Sequence, residues 1–267
     1  MPVYGWVIAV GALAQGPATR WPGAEWTMRP PEDVGMDSAL LQQALDYARG
    51  PDDTRSHCVS VHRDGFLVAE GYWNGREASS TDIVWSTSKA VAATLVGIAE
   101  RDGSLTTETR VSEYVPEWAD SESEAVNIDM LLRHDSGRYY DAVSDFVVPQ
   151  LTGLNGTDLP ATQTEYAVRQ TGCLLGPCQQ HTPGTVYQYN QMAFQAIEPV
   201  LRGATGLTLN EFSEARLKRP LRFESDTFWD TKGAFTRMLF PPAGLVRMLP
   251  LGRGRNFPAR STHTWSF

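Results

Sequence analysis

Two residues in the stretch "VWSTSKAVAATLVGIAERDGSL", positions 84 to 105, have the types and the spacing for nucleophilic chemistry. Ser86 and Lys89 stand three apart at the head of an apolar run, Val91, Leu95 and Ile98, that recurs at helical spacing. Three residues of helix advance a side chain by about 300°, which leaves the pair on neighbouring parts of one face, about 5–6 Å apart between Cβ atoms. A serine hydroxyl attacks poorly until something takes its proton, and a partly desolvated lysine can take that proton or pass it on. Backbone N–H groups at a helix start can also hold a developing oxyanion. Lysine is scarce, three in the chain against twenty arginines, so one placed against an apolar helix calls for a reason. The plain alternative is an exposed lysine beside an ordinary first-turn serine.

The 267 residues suffice for a sizeable core, and 42% apolar with 20% charged residues is a globular composition. No apolar run reaches the roughly 18 residues of a membrane span. A net charge of -8 argues against a general nucleic-acid surface, which needs clustered Lys and Arg. A small-molecule or polymer substrate is the expected partner. The N-terminal stretch from Val3 to Ala14 is apolar and closes on Ala12-Leu13-Ala14, a small-x-small pattern that predicts a signal-like segment and a secreted or periplasmic location. No basic residue precedes it, so a plain surface segment in a cytoplasmic protein is the alternative. Cys173 and Cys178 in "CLLGPC" are spaced for a short disulfide loop, whereas Cys58 lies in a strand pattern and is expected as a buried thiol. Asn155 begins an Asn-Gly-Thr glycosylation triplet. Neither histidine nor cysteine spacing suggests a metal, and no cofactor is expected.

Several elements must position the pair. "MDSALLQQALDYARG" predicts a helix capped by Asp37 or Ser38, with Leu40, Leu41, Ala44, Leu45 and Ala48 on one face and Gly50-Pro51 as its stop. "HCVSVHRDGFLVAEGYW" predicts an antiparallel hairpin turned at Arg-Asp-Gly. "VNIDMLLRHDSG" gives a short helix ending at Gly137, and "QMAFQAIEPVLRGATG" a helix interrupted at Pro199 and closed by Gly203 to Gly206. Residues 1–35 read as an irregular, signal-like lead-in and 36–230 as the main domain. Residues 231–267, without Asp or Glu but with Lys232 and five arginines, form an atypical basic segment.

"STSK" after a tryptophan, the hairpin before it, "LLRHDSG" and "PGTVYQYNQ", in this order over about 36–206, resemble the serine β-lactamase and penicillin-binding-protein superfamily. The nearest likeness is the branch of class C β-lactamases, D-Ala-D-Ala peptidases, related esterases and 6-aminohexanoate-dimer hydrolases. The resemblance implies an α+β fold, an antiparallel sheet flanked by helices with a mostly helical region, here C-terminally incomplete. It implies a serine hydrolase acting on an ester, amide or lactam. Ser86 would be acylated, Lys89 would activate it, Tyr189 would relay the proton to the leaving group, and Gln191 would stand at the substrate-binding position of the family asparagine. Asn190 then falls in the variable slot, and Tyr187 is a competing tyrosine. His134 reads as part of a structural turn, without a catalytic role.

The sequence departs from the family where a Lys-Thr-Gly or His-Thr-Gly strand is expected: "DTKG" has the wrong order, and "HTW" at His263 lacks the glycine. In the family that strand gives a second oxyanion N–H and completes the sheet beside the hairpin, so weak turnover and an unpaired hairpin edge are expected. The alternative function is a non-catalytic or truncated homologue serving as a binding or structural protein.

Overall fold

The computed structural model of the chain describes residues 25–53, 58–80, 82–83, 85–139, 163–169, 178–223, 228–229 and 238–240. They fall into two compact units that divide between Glu77 and Ala78. The signal-like stretch, Asn155, Cys173 and residues 241–267 lie outside the described residues. Among those described, no helix is long and apolar enough to cross a membrane.

In the first unit, helix α1 (Ser38–Arg49) starts where Asp37 accepts the Leu40 N–H at 2.9 Å, and Gly50 closes it on the Asp46 carbonyl. Leu41 is buried and Leu45 and Ala48 half-buried, one stripe at helical spacing. Leu40 and Ala44, expected on the same face, are exposed: both lie on one flank of the stripe, Leu40 about 100° round from Leu41 and Ala44 about 40° round from Ala48. Strands β1 (Cys58–Arg63) and β2 (Phe66–Tyr72) pair antiparallel from Cys58 opposite Tyr72 to Arg63 opposite Phe66. Asp64 and Gly65 both take positive φ, 50° and 79°, the geometry that matches the right-handed twist of a two-residue hairpin. Cys58 is half-buried rather than buried.

The second unit begins with β3 (Asp82–Ile83), a 3₁₀ turn at Trp85–Thr87, and α2 (Ser88–Arg101). Val91, Ala92, Leu95, Val96 and Ala99 are all buried, each large one worth about 1.5–3 kcal/mol over exposure. The helix α3 (Ile128–Arg133) is capped by Asn127, whose Oδ1 accepts the Met130 N–H at 2.9 Å. It ends at His134 in the left-handed region, φ 58°, three residues before the predicted Gly137, which is itself left-handed. After α4 (Gln163–Arg169) come α5 (Gln191–Gln195) and α6 (Ile197–Thr205). The interruption falls at Ala196, not at Pro199. Proline lacks the N–H that the first helical turn leaves unused, so it is tolerated in the opening turn of α6 while breaking continuity with the preceding turn. Gly206 closes α6 at φ 70°, and α6 packs against α2.

Helix α7 (Leu209–Ser213) has a capping box, with Thr208 and Glu211 each satisfying the other's backbone N–H, and runs on through a π turn at Glu214–Lys218. Asn210 then clamps β4 (Phe228–Trp229): its Oδ1 accepts the Trp229 N–H at 3.0 Å and its Nδ2 donates to the Trp229 carbonyl at 3.3 Å. The central strand of this sheet is β5 (Met238–Phe240), paired antiparallel with β3 on one side and β4 on the other. The segment read as an atypical tail thus supplies a strand, and it joins the residues just before Ser86. Cys178 is buried as a free thiol, and Cys173, its expected disulfide partner, lies outside the described residues.

Candidate active site

The 3₁₀ turn before α2 leaves Ser86 exposed and carries Lys89 inward, 8% exposed, on the first α-helical turn. Lys89 Nζ donates to Ser86 Oγ at 3.3 Å. The neighbouring Ser88 is fully buried, so of the two serines in "STSK" only Ser86 meets solvent. Thr87, at the N-cap of α2, makes no side-chain cap hydrogen bond.

Tyr189 comes from a loop 103 residues later, yet its hydroxyl oxygen lies 2.6 Å from Ser86 Oγ. A succession of backbone bonds brings the loop there. Tyr139 N–H donates to the Cys178 carbonyl at 2.7 Å, Gln180 and His181 donate to the Gly137 carbonyl at 2.8 and 2.9 Å, Gly184 to Asp135 at 2.8 Å, and Gln188 to His134 at 2.7 Å. Gly137 is required here, because a Cβ on it would stand 2.1 Å from the His181 carbonyl oxygen. The Gln179 side chain reinforces the seam, donating to the Ser136 and His181 carbonyls and accepting from Ser123. "LLRHDSG" is therefore one side of the joint that delivers Tyr189.

The other end of the loop is held by Asn190, 2% exposed. Its Oδ1 caps α5 by accepting the Ala193 N–H at 2.8 Å, and its Nδ2 donates to the Arg138 and Tyr139 carbonyls at 3.1 and 2.8 Å. Sequence reasoning passed over Asn190 as a variable position, although an asparagine just before an apolar helical run is an N-cap signal. Gln191, the expected substrate-binding position, is buried at the first position of α5. Tyr187 is 71% exposed and stands edge-on to the His134 ring at 6.4 Å, whereas the Tyr189 hydroxyl oxygen lies at Ser86 Oγ.

The electrostatics centre on one cation. Lys89 Nζ lies 5.0 Å from the Tyr189 ring centroid and 5.6 Å from that of Phe194, within the range where an ammonium is attracted by a ring face. The imidazole of His134 stacks on Tyr189 at 4.6 Å and 29° and on Phe194 at 5.4 Å and 24°. Burial, and then the Lys89 charge, push the His134 pKa down to about 4. At neutral pH His134 carries no charge. The arrangement holds a hydroxyl, a phenol and an ammonium in one hydrogen-bonded array with only the serine exposed, which suits a nucleophile served by a proton relay.

A family model described as beta-lactamase matches residues 59–244, more than half of the chain. No curated protein matches it. Among solved structures it is similar to the octameric penicillin-binding protein homologue from Pyrococcus abyssi, with TM-score 0.61 and 16% identity over 79% of this chain and 55% of that one. It is also similar to a provisionally assigned beta-lactamase from Bacteroides dorei, with TM-score 0.60 and 18% identity over 80% and 62% of the two chains. A provisionally assigned 6-aminohexanoate-dimer hydrolase from Bacillus anthracis gives TM-score 0.60 and 15% identity over 86% and 62%. The fold is that of the β-lactamase and transpeptidase group, and the chain spans 55 to 62% of the length of these three structures.

Proposed function

From the premise that the chain belongs to the beta-lactamase family, as the match over residues 59–244 shows, we propose that it is a serine hydrolase acting on small esters or amides through an acyl-enzyme on Ser86. The observation that carries this reading is the 2.6 Å contact between Ser86 Oγ and the Tyr189 hydroxyl, with Lys89 Nζ 3.3 Å from the same serine oxygen. In the forward step the Ser86 oxygen bonds to the substrate carbonyl carbon while its proton passes into the Lys89–Tyr189 pair. The carbonyl bond to the leaving group then breaks, and the proton goes to that group. Water repeats the sequence in reverse to free the acid and restore Ser86. A tyrosine with its ordinary pKa near about 10 is a poor base at pH 7, and the ammonium over its ring favours the ionised phenol. Gln191 keeps the carboxamide of the family asparagine one methylene further out, and we assign it to substrate orientation.

Within these 267 residues no Lys-Thr-Gly or His-Thr-Gly occurs, and a site working with one oxyanion donor fewer would be slower by about 10²–10³. Slow hydrolysis of activated esters such as p-nitrophenyl acetate is therefore expected, with little turnover of amides. The test is a stopped-time assay of p-nitrophenyl acetate with acid trapping of the acyl-enzyme. A trapped acetyl group on Ser86 supports the reading. Absence of any acyl adduct, with the fold intact, favours the non-catalytic alternative.

A further inference from the structure

The left-handed position that ends a helix favours glycine, and a larger residue there carries a conformational cost. His134 occupies such a position at φ 58°. Its side chain and backbone offset that cost by gripping three consecutive residues of the facing loop. The His134 carbonyl accepts the Gln188 N–H at 2.7 Å, its ring stacks on Tyr189 at 4.6 Å, and its Nδ1 accepts the Asn190 N–H at 3.3 Å. The two flanks of Tyr189 and one face of its ring are thus held by one residue. Phe194 from α5 continues the stack at 5.4 Å.

We propose that His134 is a positioning residue for Tyr189: its neutral imidazole fixes the plane and the reach of the phenol so that the hydroxyl meets Ser86, while His134 touches neither Ser86 nor substrate. This rests on the reading of Ser86 and Tyr189 as nucleophile and proton relay. An Nδ1 that accepts a hydrogen bond carries no proton, so the neutral ring bears its hydrogen on Nε2. Protonating Nδ1 would remove the acceptor for Asn190 and set a second positive charge beside Lys89. Among the described residues, the titratable and charged groups beside the ring are Lys89 from α2 and Tyr187 and Tyr189 from the loop; its sequence neighbours Arg133 and Asp135 pair with each other at 3.0 Å. Phe194 is the uncharged contact from α5.

Substitution in two backgrounds separates positioning from general support of the fold. His134→Asn keeps tolerance of the left-handed backbone and an oxygen acceptor but loses the stack, whereas His134→Phe keeps the stack and loses the acceptor. With Tyr189 present, each should lower the rate of fluorophosphonate labelling of Ser86, and kcat for p-nitrophenyl acetate, by about 10-fold with KM within about twofold. In a Tyr189→Phe background the same His134 changes should have no further effect on labelling, because the group being positioned is gone. An equal loss in both backgrounds, or no loss in either, overturns the proposal even when the wild-type chain labels normally at Ser86. If His134→Phe does not fold, His134→Asn carries the cycle alone. A folded wild-type chain that does not label at Ser86 at all refutes the underlying reading, and the positioning role with it.

Discussion

Two helix starts in the same unit hold the candidate chemistry, and they are finished differently. At α5 the residue after Tyr189 is a buried asparagine that caps the first turn and ties down two carbonyls of the facing segment. At α2 the residue after Ser86 is an exposed threonine that makes no side-chain cap. Both helices begin two residues beyond a residue whose oxygen belongs to the candidate site. The first start is closed, which suits a tyrosine that must keep a fixed reach from an otherwise irregular loop. The second is left without a side-chain cap beside an exposed serine, where a substrate oxygen would seek backbone N–H groups. On the proposed reading, one fold uses the same local element once for rigidity and once for access.

The comparison is broken most severely at the open start. Lys89→Ala should slow acylation of Ser86 by at least about 10²-fold while the circular-dichroism melt stays cooperative, as expected when a proton-transfer partner is lost. An unchanged labelling rate would return Lys89 to ordinary packing. At the closed start, Asn190→Ala removes a cap and strands buried partners on both sides, so denaturant titration should show a loss of about 2–4 kcal/mol. A loss under 1 kcal/mol would show that backbone pairing alone holds the loop.

A third and smaller effect reads the stack between the two starts. An unfolded histidine titrates near 6.5, whereas native His134 holds its pKa at about 4. Between those values the unfolded chain binds a proton that the native imidazole does not, so stability is complete above about pH 6.5 and falls as pH drops toward 4, where this slope ends. Partial exposure screens the effect, and its size should be on the order of 2 kcal/mol. Denaturant midpoints for wild type and His134→Asn measured from pH 7.5 to 4 check it, and equal slopes would reject the assignment. The smallest effect is expected at the open cap: Thr87→Ala should change stability by less than about 0.5 kcal/mol, since no cap bond is lost. A loss as large as that of Asn190→Ala would erase the distinction between the two starts.

Local signals made much of this legible in the chain itself. The Ser86–Lys89 spacing, the apolar stripe of α2, the Asp37 cap and the Asp64-Gly65 turn depend on near neighbours in sequence, and the structure has each of them. Contacts across long separations were harder. Nothing in "LLRHDSG" alone announces that the His134 ring lies against Tyr189, because that depends on how the seam between 134–139 and 178–190 closes. Helix breaks were misplaced by a few residues for a related reason: Pro199 and Gly137 mark a boundary without fixing which neighbour absorbs it. Burial of α1 was overestimated, since periodicity shows which residues share a face but not how wide a face the neighbours cover. β5 was missed because its three residues carry no pattern long enough to read, and pairing with β3 and β4 defines it.

The central claim is that Ser86, and not one of its serine neighbours, is the nucleophile activated by Lys89 and Tyr189. Its most direct test is intact-mass spectrometry after incubation with a fluorophosphonate, followed by peptide mapping of wild type and of Ser86→Ala. The account predicts a single adduct in the wild type, mapped to Ser86, and none in the variant. An adduct on the buried Ser88 or Ser136, or labelling that persists in Ser86→Ala, would contradict it.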